Sequence, residues 1–135
     1  MTTEVIFRTA SKGFILFSAL SLGYVALLGI IDPQSVMDLV GVKLPNTDAI
    51  SSIRGIYGGV GLTIVTLLVY LALFQTTQGL SFLSLFWGSY ALSRIITWFL
   101  DGALGEFGTK WLLIESIMCL VGILLLAIRK KIKER

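Results

Sequence analysis

Four long apolar runs constrain this chain more than anything else in it. They are Gly13 to Ile31, Ile50 to Phe74, Leu80 to Leu100 and Trp111 to Ile128. Each is close to the roughly 20 residues a helix needs to cross a hydrocarbon core about 30 Å thick. With 56% hydrophobic residues and 14% charged over 135 positions, the chain has more apolar surface than a soluble domain of this size can hide. Lipid is therefore the expected solvent. An open sheet would leave unpaired backbone groups in lipid, and no run alternates apolar with polar residues as a barrel strand does. The expected fold is all-α: one integral membrane domain over residues 1–135, a four-helix up-down bundle.

The connections between the runs are unequal. The turn "QTTQG", Gln75 to Gly79, is short and predicts an antiparallel hairpin of the second and third helices. In "DPQSVMDLVGVKLPNTD", Asp32 can cap a helix with Pro33 in its first turn, and Gly41 can end it. Val36, Leu39 and Val40 fall near one side, which predicts a short amphipathic helix on the outer surface between spans one and two. An ordinary loop is the alternative. The fourth helix is reached through "DGALGEFGTK", whose glycines predict tight turns.

Arg8 and Lys12 precede the first run as in a secretory leader. The run is too long for one, however, and "GIIDPQ" is no cleavage site, so it reads as a retained span. Five of the eleven basic residues lie in the tail, positions 129–135. Both clusters fall on the same side of a four-span chain, so the positive-inside rule predicts cytoplasmic N- and C-termini. Anionic lipid, not nucleic acid, is the natural counter-charge for such flanks. With no histidine and a single cysteine, Cys119, an intrachain disulfide, a Cys/His zinc site and a histidine triad are excluded. The glycines follow no strand and lack a phosphate-loop lysine, so no cofactor is expected.

The second run opens unusually, with "SSIRGIYGGVG" at Ser51 to Gly61. Read at helical spacing, Gly55 and Gly59 share a face with Thr63 and Thr66, and Gly58 and Gly61 lie on a neighbouring stripe. Small residues let transmembrane helices approach closely. These glycines, with Gly88 on the third helix, are expected to be packing positions, with a hinge or cavity wall as the alternative.

Three ionisable residues lie within the spans, Arg54, Arg94 and Glu115, and Asp101 ends the third. At about 1.5 Å of rise per residue, all four fall in the outer third of the bilayer. An arginine in lipid costs about 2.5–3.5 kcal/mol near a helix centre, so pairing is expected. Arg94 shares its face with Trp87, Tyr90, Trp98 and Asp101, a stripe able to hold a guanidinium by cation–π contact. Glu115 is its expected partner, and Arg54 is expected to face Asp101, Glu115 or lipid phosphate. The cluster reads equally as a structural lock or a binding site.

The segments "RGIYGG" (Arg54 to Gly59), "SRIITWFLDG" (Ser93 to Gly102) and "LLIES" (Leu112 to Ser116) resemble the bacterial DUF4345 family over roughly Phe14 to Ile128. The resemblance implies a four-span protein of the bacterial inner membrane, with Arg54, Tyr57, Gly58, Gly59, Arg94, Asp101, Gly102 and Glu115 at the family's characteristic positions. It implies no activity. The expected function is a non-enzymatic membrane protein that binds a lipid, a small amphiphile or a partner helix through Arg54, Tyr57, Arg94, Trp98, Asp101 and Glu115. A dimeric proton-coupled transporter using Glu115 is the alternative, as is an accessory subunit, with a second copy or another membrane protein as partner. Cys119, one turn after Glu115, is the only nucleophile beside a possible base, and a thiol in an apolar helix is usually inert.

Overall fold

The computed structural model describes residues 3–133, and all its regular structure is helical. Helix α1 spans Thr3–Ile31, α2 Pro33–Asp38 and α3 Thr47–Ile53; a π-helical segment, Arg54–Val60, joins α3 to α4, Gly61–Phe74. Helices α5, Thr76–Asp101, and α6, Glu106–Lys133, complete the chain. Three rods are long and apolar enough to cross a membrane: α1, the α3–π–α4 rod and α6. Helix α5 has 26 residues but also carries serines and Arg94, and it is not among them.

The helices outrun the apolar segments that announce them. Helix α1 begins at Thr3 rather than Gly13, and α6 runs from Glu106 to Lys133 rather than from Trp111 to Ile128. Backbone hydrogen bonding does not stop where hydrophobicity does, and polar first and last turns are normal where a helix leaves lipid. Of the basic tail, Glu134 and Arg135 lie outside the described residues. The expected five-residue turn shrinks to Gln75 alone, since Thr76 to Gly79 are already helical. Similarly only Gly102 to Gly105 separate α5 from α6, and Gly108 is helical. Gly102 breaks the chain with φ +108°, a conformation that favours glycine.

The cap read at Asp32 is formed: Ser35 donates its amide (3.4 Å) and its hydroxyl (2.5 Å) to the carboxylate, with Pro33 in the first turn. Those bonds hold the Asp32 carboxyl below its usual value of 3.8. Helix α2 buries Val36 and Met37, whereas Leu39 and Val40 are exposed. The expected apolar face is thus corrected to one that ends with the helix at Asp38, beyond which the chain turns and helical spacing no longer applies. Gln34 pins that turn, donating to the Val42 carbonyl and accepting from the Leu44 amide.

Helix α1 packs along the π–α4 half of the second rod, and α5 packs on α6. The two pairs meet in a core of Ile15, Ala19, Leu68, Ala72, Leu80, Leu83 and Trp87, toward the end where α4 turns into α5. There the Trp87 indole donates to Ser18 at 3.4 Å, a polar tie between α5 and α1. Around this core Leu20, Tyr24, Phe74, Leu85, Phe99 and Leu100 face outward. So large an apolar exterior is a liability in water and an ordinary solvated surface in lipid. Hydroxyls on the same exterior are satisfied locally: Ser21, Thr63, Thr66, Ser81 and Thr97 each donate to the carbonyl four residues back.

Candidate functional site

The α5–α6 seam is lined by small residues, which brings the helices close enough for a short-range ion pair. Cys119 donates its thiol to the Ser84 carbonyl at 3.3 Å, and a methyl on Gly88 would meet the Cys119 sulfur at 3.2 Å. A methyl on Gly122 would collide with Ser84. Higher on this seam Arg94 meets Glu115. Its Nε donates to Oε2 at 2.7 Å and its Nη2 to Oε1 at 2.9 Å, the bidentate geometry guanidinium and carboxylate favour. Glu115 is 2% exposed and the Arg94 side chain 22%. The carboxylate is therefore enclosed with each oxygen accepting one bond, while the arginine side chain keeps partial exposure. Among the described residues its remaining N–H groups have no protein acceptor.

The cation–π partner of Arg94 is Phe107, with its ring centroid 5.8 Å from the guanidinium carbon. This corrects the expected stripe of Trp87, Tyr90 and Trp98. Trp87 is turned into the core, and Trp98 is 55% exposed beside Phe99. Phe107 was missed in the sequence, although Phe107, Trp111 and Glu115 recur at four-residue spacing on one face of α6. Tyr90 stands one turn before Arg94 on the same face of α5. Tyr57 comes from the π segment on the other helix pair. The structure thus gathers Tyr90, Arg94, Phe107 and Glu115, whereas the Tyr57 Cβ lies against Gly29 of α1.

It does not gather Arg54 or Asp101. The Arg54 Nε donates to the Ile30 carbonyl at 2.9 Å, covering one of the carbonyls left open at the end of α1. A cation there also complements the helix dipole. Asp101 is exposed at the end of α5, with no ion pair among the described residues.

The glycines also divide. Gly58 and Gly61 face α1: a methyl on Gly61 would lie 2.9 Å from the Ala26 Cβ, and one on Gly58 would strike Ile30. Gly29 of α1 completes the contact, its place for a methyl lying 2.9 Å from the Gly58 nitrogen. Gly55 and Gly59, expected as a packing pair, face open space instead. Gly55 and Gly59 do share a face, but the stripe turned to α1 is the neighbouring one of Gly58 and Gly61.

The profile of a family described as "Domain of unknown function (DUF4345)" matches residues 10–126. The chain belongs to the DUF4345 family. Comparison with curated proteins and with solved structures gives no match. In this DUF4345 protein the three segments that suggested the resemblance have distinct structural places. "RGIYGG" forms the π turn, "SRIITWFLDG" carries Arg94 to the end of α5, and "LLIES" delivers Glu115.

Proposed function

We propose that this DUF4345 protein is a non-enzymatic integral membrane protein in which four helices cross the bilayer. On this reading α5 crosses as well, its one interior charge neutralised by Glu115 of α6. Both termini face the cytoplasm, and the Arg94–Glu115 pair lies toward the outer leaflet. There the pair locks α5 to α6 and holds the polar group of a lipid or small amphiphile. The observation carrying this reading is the asymmetry of the pair: an enclosed carboxylate, both of whose oxygens accept from Arg94, beside a partly exposed arginine with further N–H donors. Supporting it, the Phe107 ring centroid lies 5.8 Å from the guanidinium carbon and Tyr90 stands one turn before Arg94 on α5. An amphiphile beside the pair would find aromatic neighbours and a cation held in place by Glu115. A proton-carrying role for Glu115 draws less support, because both of its oxygens accept from Arg94.

The test is native mass spectrometry of the protein released from mild detergent, comparing wild type with Arg94→Ala, Arg94→Lys and Glu115→Gln. A defined adduct on wild type is expected, lost from Arg94→Ala and Glu115→Gln and weakened in Arg94→Lys. Bare protein throughout, or an adduct indifferent to these changes, would remove the binding role and leave the lock.

A further inference from the structure

A second polar feature lies at the opposite end of the molecule, where α1 begins, α4 turns into α5 and α6 ends. A pocket of about 720 Å³ opens there, bordered by Arg8 of α1, Arg129 of α6, and Thr76, Thr77 and Gln78 from the first turn of α5. Among the described residues neither arginine has a carboxylate partner within ion-pair distance, so two guanidinium groups border one cavity outside any ion pair there. Arg129 is half-buried and Arg8 exposed. The α5 amides add to this, because the preceding residue, Gln75, places no side-chain acceptor on them. Amides at a long helix's N-terminus carry partial positive charge and point outward along its axis. Phe7, Phe74 and Ile132 supply an apolar border beside the polar one. One turn deeper than Phe7 on the same face of α1, Ser11 is fully buried with its hydroxyl unpartnered. Glu4, one turn before Arg8, is the single carboxylate lining the pocket.

We infer that this pocket binds an anionic phosphate group, either of a lipid headgroup or as the free ion. Planar guanidinium forks match phosphate oxygens in geometry and charge. The helix N-terminus adds neutral donors to the two cations. The apolar border suits the glycerol and first acyl carbons of a phospholipid, which makes the lipid the better-fitting source. This site shares no residue with the Arg94–Glu115 cluster and stands or falls independently of it.

The test uses the full chain in nanodiscs of phosphatidylcholine doped with phosphatidylglycerol, with retained lipid counted by native mass spectrometry. Wild type should keep a bound phosphatidylglycerol. Arg8→Gln and Arg129→Gln should each weaken retention by about tenfold, the effect of losing one charged hydrogen bond. Lys131→Gln removes the same charge from the same end outside the pocket and should leave retention unchanged. Glu4→Gln should strengthen it, an effect that misfolding cannot imitate. In a second arm inorganic phosphate is added to protein in neutral detergent. A rise in melting temperature for wild type but not the arginine variants, without phosphatidylglycerol retention, would assign the pocket to the free ion. The inference is overturned if Lys131→Gln costs as much as the arginine changes, which would mean general surface attraction. It is also overturned if neither probe distinguishes wild type from the variants.

Discussion

A carboxylate as enclosed as that of Glu115 is tolerable in an apolar surround only with a partner, and Arg94 supplies both hydrogen bonds. Removing one member strands the other. Arg94→Ala or Glu115→Gln should therefore destabilise the fold by about 3–5 kcal/mol, whereas replacing both, as Arg94→Met with Glu115→Leu, should recover most of the loss. Unfolding in mixed micelles, followed by helical circular dichroism, measures the cycle. A double variant as unstable as the sum of the singles would show that the pair does not act as a unit. This pairing was legible in the sequence because two charges at similar depth on consecutive helices have few other places to go. The place of Arg54 was not. Its acceptor is a main-chain carbonyl at the end of α1, and carbonyls are invisible to any search for opposite charges. Phe107 was hidden for a related reason, since it stands outside the apolar run that was taken to bound its helix.

At the scale of elements, the number and order of the long helices follow from hydropathy, and the caps at Asp32 and Asn46 are formed by the residue types that favour them. Helix faces were less legible across Arg54–Val60. Spacing alone does not say which of two neighbouring glycine stripes meets α1: Gly58 and Gly61 do, and Gly55 and Gly59 point away. The consequence can be measured one glycine at a time. Gly29→Ala places a methyl against the backbone of the π segment, which has little room to move, and should cost about 1–3 kcal/mol. Gly55→Ala and Gly59→Ala meet open space and should stay within about 0.5 kcal/mol of wild type. Thermal unfolding of the three variants in one detergent decides the matter. Equal losses at all three positions would mean that Gly55 and Gly59 also lie at a contact, one formed between molecules.

Across the whole molecule the two ends differ in charge, one mainly basic apart from Glu4 and the other mainly acidic with Lys43 and Lys110 among its carboxylates. Arg8, Lys12 and Arg129 to Lys131 lie where α1 begins and α6 finishes, while Asp32, Asp38, Asp48 and Asp101 lie at the other end. In the proposed topology a membrane-impermeant maleimide, used on a Cys119→Ser background, should label Lys131→Cys only in inside-out vesicles. It should label Val42→Cys only in right-side-out ones. Labelling of both from one side would reject an even number of crossings. The Arg94–Glu115 pair also bears on how such a chain would be made. Helix α5 emerges from the ribosome first, carrying an arginine that disfavours its entry into lipid on its own. Only Gly102 to Gly105 separate it from α6, the strongly apolar helix that brings the neutralising glutamate. In this topology the translocon would release α5 and α6 together as one hairpin, so biogenesis of the third crossing waits on synthesis of the fourth.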